Sequence, residues 1–227
     1  MSFVSPPDGT ARGFGGNAGS DMAVHRVIEG RAFSHGDTIA IVGSSVTLSY
    51  RELNQRANAI ARTLIAHGFH RAGLATVRMP RSPEAAMALL GVLKAGGMFM
   101  LIDDEDAGAT WPRGLSFAES EARSERDERN ERRWRTVDVA DAFERPSTSS
   151  ANLPIIARAT DVACVIPDRD GSPLVLVPHS TIISLVGKPV PRFAEWSGEP
   201  GALDLWMALM AGATVTIAPG ALATAAA

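Results

Sequence analysis

Along residues 22–103 the apolar positions switch between short unbroken runs and a helical period, and those switches predict an α/β unit. Met22, Val24, Val27 and Ile28 stand at helical spacings before a turn at Gly36-Asp37. The run TIAIV at 38–42, bounded by glycines, predicts a buried strand, and 46–48 can pair with it through Gly43-Ser44-Ser45. Ser49 followed by Glu52 is a capping box. From there Tyr50, Leu53, Ala57, Ile60, Ala61, Leu64 and Ile65 form one apolar stripe that ends at Gly68, a left-handed C-cap residue. A strand at 74–79 leads to Ser82-Pro83, a serine cap with proline at the first turn of a second helix. That helix runs to Gly96-Gly97, and 98–102 is again a strand. Strand, helix and strand with short connections predict a parallel pair with a right-handed crossover.

The pattern breaks at Asp103. Eleven of the fifteen residues from Glu119 to Arg133 are charged, with Glu-before-Arg pairs four apart and no apolar stripe. This predicts a charged insertion over 104–135. Strands follow at 136–139, at 161–166 (DVACVI) and at 173–177 (PLVLV), then a short helix at 179–186 and an irregular proline-containing piece. A helix at 203–211 closed by Gly212 and a strand at 213–218 complete the pattern. Residues 1–21, rich in glycine, serine and proline, are expected to be a mobile arm, 22–218 the domain, and 219–227 a tail.

Composition narrows the function classes. The 227 residues carry a net charge of -3, so no basic field attracts nucleic acid or an acidic membrane surface. No apolar run approaches a membrane span, and the N-terminus lacks the apolar core of a signal peptide. Cys164 is the single cysteine, which excludes an internal disulfide framework. A soluble, cytoplasmic chain is expected. Lysine occurs twice, as Lys94 and Lys188; chemistry that needs a deprotonatable cation has those two candidates, since arginine keeps its proton.

Three strings carry a resemblance. LSYRELN at 48–54, PRSPEAAMALLGVLKAGG at 80–97 and LKAGGMFMLID at 93–103 resemble the opening motifs of the adenylate-forming enzymes. The nearest likeness is to the N-terminal half of the adenylation domains of non-ribosomal peptide synthetases. That resemblance implies a three-layer fold with a largely parallel sheet flanked by helices, as in the first part of the family's large domain. It also implies an ancestral activity, ATP-dependent adenylation of a carboxylic or amino acid. The family places a Gly/Ser/Thr-rich phosphate loop with a lysine where this chain has VIPDRDGSPLVLVPH, at 165–179. The flanks match, but the segment is shorter, Ser172 is its remaining hydroxyl, and Asp168 and Asp170 lie where phosphates would sit.

Asp170, Gly171, Ser172 and Pro173 are thus the candidate nucleotide-binding positions, in a degenerate loop; the same residues also read as a plain hairpin turn. Glu195 and Glu199 are the candidates for the acid that holds a substrate ammonium, and surface glutamates are the competing reading. No residue is assigned a catalytic role and no metal ligand is expected. His67 and His70 lack partners at ligand spacing, and the acids at 103–106 read as a solvated turn or a hard-cation site.

The expected function is a catalytically inactive, truncated adenylation-like protein serving as a scaffold or interaction module of a peptide synthetase assembly line. Its partner would be a condensation-type, carrier or adenylation component, with no cofactor of its own. The alternatives are one half of a split enzyme, which would then use ATP and Mg, or a decayed fragment without function. A sheet cut short after 213–218 would expose an edge strand, predicting self-association through 203–218.

Overall fold

The computed structural model describes residues 22–44, 46–101, 115–118, 135–138, 149, 151–154, 157–166, 175–196 and 202–217. In chain order they form α1 (Val24–Ser34), β1 (Ile39–Val42), β2 (Thr47–Ser49), α2 (Tyr50–Ala66), β3 (Leu74–Arg78), α3 (Pro83–Lys94) and β4 (Met98–Leu101). Then come β5 (Leu115–Ala118), β6 (Arg135–Asp138), β7 (Val162–Ile166), β8 (Val175–Pro178), α4 (His179–Ile183), β9 (Phe193–Glu195), α5 (Leu203–Ala211) and β10 (Thr214–Thr216).

The fold is α/β, as the sequence predicts, with its strands divided between two sheets. A six-stranded sheet has the order β6-β5-β3-β4-β7-β8 and is parallel except where β8 runs back along β7. A four-stranded sheet has the order β2-β1-β10-β9, with β1, β10 and β9 parallel. Helices join the two. α2 packs on β1 and β2, α3 packs on β3 and β4, and the two helices pack on each other. α5 lies on β9 and β10, and α1 touches α2, α3, α4 and α5.

Local chemistry explains the best-formed elements. Ser49 Oγ accepts from the Glu52 N–H at 3.2 Å while Glu52 Oε2 accepts from the Ser49 N–H at 2.8 Å, so the capping box closes in both directions. That backbone contact holds the Glu52 carboxyl below its usual titration range. Ser82 Oγ accepts from Ala85 N–H at 3.0 Å with Pro83 at the first helical position. Gly91 lets α2 and α3 meet closely, because a Cβ there would sit 2.6 Å from Ile60 Cγ2. Gly212 ends α5 at φ 83°, a conformation that favours glycine.

Three expectations change. Leu115–Ala118, inside the stretch read as a charged insertion, is strand β5, hydrogen-bonded between β3 and β6. The piece read as irregular contains β9, with Phe193 opposite Thr214. The expected open edge at 203–218 is corrected as well: β10 is central, flanked by β1 and β9. Leu205, Trp206, Leu209 and Val215 are buried, so the surface invoked for self-association through 203–218 is already covered. The covering strand is β1, some 170 positions earlier, with Ile41 opposite Val215. The segments 1–21, 102–114, 119–134 and 218–227, which hold the expected arm, most of the charged run and the tail, lie outside the described residues.

Trp206 on α5 meets Phe99 on β4 at a ring-centroid distance of 5.8 Å, so one buried indole links the helix of one sheet to a strand of the other. Trp206→Ala is expected to cost about 3–5 kcal/mol through the cavity it leaves. Urea denaturation of the two proteins measures this, and a loss under about 1 kcal/mol would show that the sheets are joined elsewhere.

Candidate functional site

The segment where a phosphate loop is expected is bracketed by described structure. β7 and β8 pair antiparallel, Ile166 opposite Val175 and Val162 opposite Pro178, and α4 begins at the next residue, His179. Residues 167–174 connect the strands, so Asp170, Gly171, Ser172 and Pro173 lie outside the described residues, as does Glu199. Glu195 is exposed at the end of β9, opposite Thr216. Cys164 is buried in β7 and burial pushes its thiol up to about 12, so it carries no thiolate near neutral pH.

What the structure gathers is a buried polar cluster at the centre of the helix layer. Lys94, at the end of α3, is closed to solvent and donates to Glu29 Oε1 on α1 at 2.5 Å. Arg26, one turn earlier on α1, donates to the other Glu29 oxygen. Burial pulls the Lys94 ammonium down to about 8, against the opposing pull of Glu29. Beside this pair, the His25 and His179 rings meet edge-on with centroids 6.0 Å apart. Both are buried, and burial lowers both imidazoles, His25 well below its ordinary value and His179 to about 4. His179 Nδ1 accepts from the Val24 N–H at 3.2 Å.

The base of the β7–β8 pair is held just as firmly. Asp161 accepts a bidentate pair from Arg71, at 2.7 and 3.1 Å on one oxygen and 2.9 Å on the other, and also the Arg158 N–H at 2.9 Å. Burial opposes the Asp161 charge, but the Arg158 and Arg71 contacts outweigh it and keep its carboxyl below the usual range. The Asp161 and Ala159 carbonyls accept the first two N–H groups of α4, at 3.0 and 2.8 Å.

Sequence reasoning set the histidines aside as metal ligands and did not see this cluster. One signal was present: Lys94 is the only charged residue in an otherwise apolar LLGVLKAGG run, which marks a cation that must find an anion inside. Lys94, Glu29, His25 and His179 are buried and only Arg26 reaches the surface, at 35% exposure, so the cluster holds helices together. Of the two lysines, only Lys188 is solvent-exposed. A shallow depression of about 240 Å³ lies between α1 and α2, lined by Phe33, Asn54 and Asn152, but its Arg51 is engaged by Asp37. Among the described residues, no group of three or more His, Cys, Asp or Glu is placed to hold a metal, and no helix is long and apolar enough to cross a membrane.

Residues 28–122 match the family of AMP-binding enzymes. The fold agrees over far more of the chain. The non-ribosomal peptide synthetase FmoA3, solved with α-methyl-L-serine-AMP bound, superposes with a TM-score of 0.73 at 27% identity, over 88% of this chain and 24% of that one. The chain is similar to the N-terminal part of a peptide synthetase adenylation domain. The N-terminal subdomain of NpsA from Klebsiella oxytoca shares the adenylation-like fold, with a TM-score of 0.71 at 21% identity, over 88% of this chain and 56% of the subdomain. By sequence, tyrocidine synthase 3 of Brevibacillus parabrevis is 31% identical over 72% of this chain, which spans 3% of that protein. Tyrocidine synthase 1 of the same organism is 28% identical over 86% of the chain, which spans 20% of it.

The central ion pair generates a prediction for this adenylation-like frame. Lys94→Met leaves Glu29 buried with Arg26 alone and is expected to cost about 3–5 kcal/mol. Adding Glu29→Gln is expected to recover much of that loss, because no buried charge then remains unpaired. A double-mutant cycle by urea denaturation checks both, and additive losses would show that the two residues act separately.

Proposed function

We propose that this adenylation-domain-like chain is non-catalytic and acts as a scaffold or interaction module in a peptide synthetase-type system. The observation that carries the reading is the composition of the segment joining β7 to β8. PDRDGSPL, at 167–174, has two carboxylates against one guanidinium, a single hydroxyl and no lysine. A phosphate loop needs the reverse: small residues that let backbone amides crowd an anion, hydroxyl donors, and a compact cation. Carboxylates at that range repel triphosphate oxygens. The residues present do not fit ATP, and no step through it follows.

Neither lysine makes up the deficit. Lys94 is sealed inside and engaged by Glu29, and Lys188 lies beyond α4 in the turn that follows it. What remains is a folded frame with a surface on which protein partners can dock. The assembly-line relatives favour a carrier, condensation-type or adenylation component as that partner.

A second reading has its own support. The two strands and the helix that flank a phosphate loop in the family are all formed here. They would serve if another chain completed the site, as in one half of a split enzyme using ATP and Mg.

Pyrophosphate exchange over a panel of amino and aryl acids separates the readings. The chain by itself is expected to stay at the level of a heat-killed control. Substrate-dependent exchange by the chain alone would overturn the non-catalytic reading, and exchange only on mixing with a second synthetase chain would establish the split enzyme.

A further inference from the structure

The N-terminus of α1 lacks a cap of its own. Ala23 stands at the N-cap position with no side-chain acceptor, and no acidic residue occupies the first turn. Yet the Val24 N–H, one of the donors a helix start leaves unpaired, is satisfied from 155 residues away by His179 Nδ1. His179 is the first residue of α4, so a single imidazole joins the starts of two helices. A ring nitrogen that accepts carries a lone pair, which fixes His179 as the neutral tautomer protonated on Nε2. A second buried imidazole, His25, lies edge-on against it, and neither His179 Nε2 nor His25 Nδ1 has a hydrogen-bond partner among the described residues.

We propose that His25 and His179 form a pH-operated latch that fastens α4, and β8 before it, to the start of α1, and that acidification opens it. Protonating Nδ1 removes the acceptor from Val24 and sets an imidazolium against the positive end of the α1 dipole. Charging either ring also sets a cation, or two, in a buried site.

The surrounding charges bear on that balance from every side. On α1, Arg26 disfavours a proton on His25, and Glu29 is taken up by Arg26 and Lys94. From α3, Lys94 disfavours it too. From the turn before β7, Asp161 favours a proton on His179, but Arg71 engages both its oxygens. Arg62 on α2 bears on Lys94 and adds to the positive field. Both imidazoles therefore hold protons more weakly when latched than when open. The latch is fully closed above about pH 6.5 and is lost as pH falls towards about 4, because the open state takes up the protons.

Hydrogen exchange of the full chain, corrected for intrinsic rates, tests this at about pH 7.5 and about pH 5. The amides of 24–28 and 179–186 should lose protection together, by about thirtyfold for each histidine that titrates, while α2 and α3 keep theirs. His179→Asn, whose Oδ1 can accept from Val24 but cannot take a proton, should remove the His179 share of that pH response, and His25→Phe the His25 share. Equal loss of protection in α2 and α3, no loss in wild type, or an unchanged response in His179→Asn would each overturn the latch. Should the variant not fold, long-range proton–nitrogen NMR of the wild type decides: the Nε2–H tautomer of His179 near neutral pH supports it, and the Nδ1–H tautomer overturns it.

Discussion

A lysine ammonium without any solvent contact is the constraint around which this fold is arranged. Lys94 closes α3, the helix that covers the six-stranded sheet, and it can keep its proton there only because Glu29 lies within 2.5 Å. Leaving either charge alone costs several kcal/mol, so α1 and α3 must sit at one separation and rotation. Arg26, one turn earlier on the same helix, takes the second Glu29 oxygen and steadies that carboxylate, while the Lys94 contact from α3 limits how α1 can turn about its axis. Among the described residues, every other helix then packs against a fixed α1.

The same helix layer is tied by caps that come from far along the chain. The Tyr50 hydroxyl lies 3.0 and 2.8 Å from the Leu209 and Ala213 carbonyls, which share its one proton, and Arg31 Nε donates to Met210 O at 3.0 Å. Met210 O is one of the carbonyls that α5 leaves unpaired at its C-terminus, where a cation is also favoured by the dipole; Leu209 O accepts from the Gly212 N–H as well, and Ala213 lies just past the helix. Arg31 comes from α1, so α1 both receives a distant cap at its start, from His179, and supplies one to α5. Burial pushes the Tyr50 hydroxyl upward, which keeps its proton in place between these carbonyls at any pH the fold meets. Such contacts add little net energy each, about 1 kcal/mol, but an unpaired buried carbonyl would cost more. They therefore select one packing of the helices over near alternatives.

This division explains what was legible in the sequence. α2 and α3 could be read because caps and stripe are local signals: Ser49 with Glu52, Ser82 with Pro83, and apolar residues three and four apart. The parallel β3–β4 pair could be read because the helix between them is short and clear. β9 is three residues, FAE, without a run or an alternation long enough to register, and β5 is four residues beside a heavily charged stretch. Their strand character comes from neighbours across the sheet, and so does the central place of β10 between β1 and β9. The division into two sheets is likewise a property of long-range pairing, which leaves no period in the chain. The candidate loop lies outside the described residues, and the histidine cluster was not legible, since His25 and His179 carry no shared spacing.

The β7–β8 pair shows how the same long-range logic holds the strands of this adenylation-like frame. Among the described residues its fixed points lie at the base: Asp161 between Arg71 and the Arg158 N–H, and His179 against Val24. The strands meet through Val162 to Ile166 and Val175 to Pro178, with Ala163, Cys164 and Val177 contributing to the core. These contacts come from β7, β8 and α4 themselves and from α1 and the turn after α2, so the flanks of the connection at 167–174 are fixed from the core side of the sheet. A change at Asp161 or His179 therefore acts on the frame itself, because each joins segments far apart in the chain.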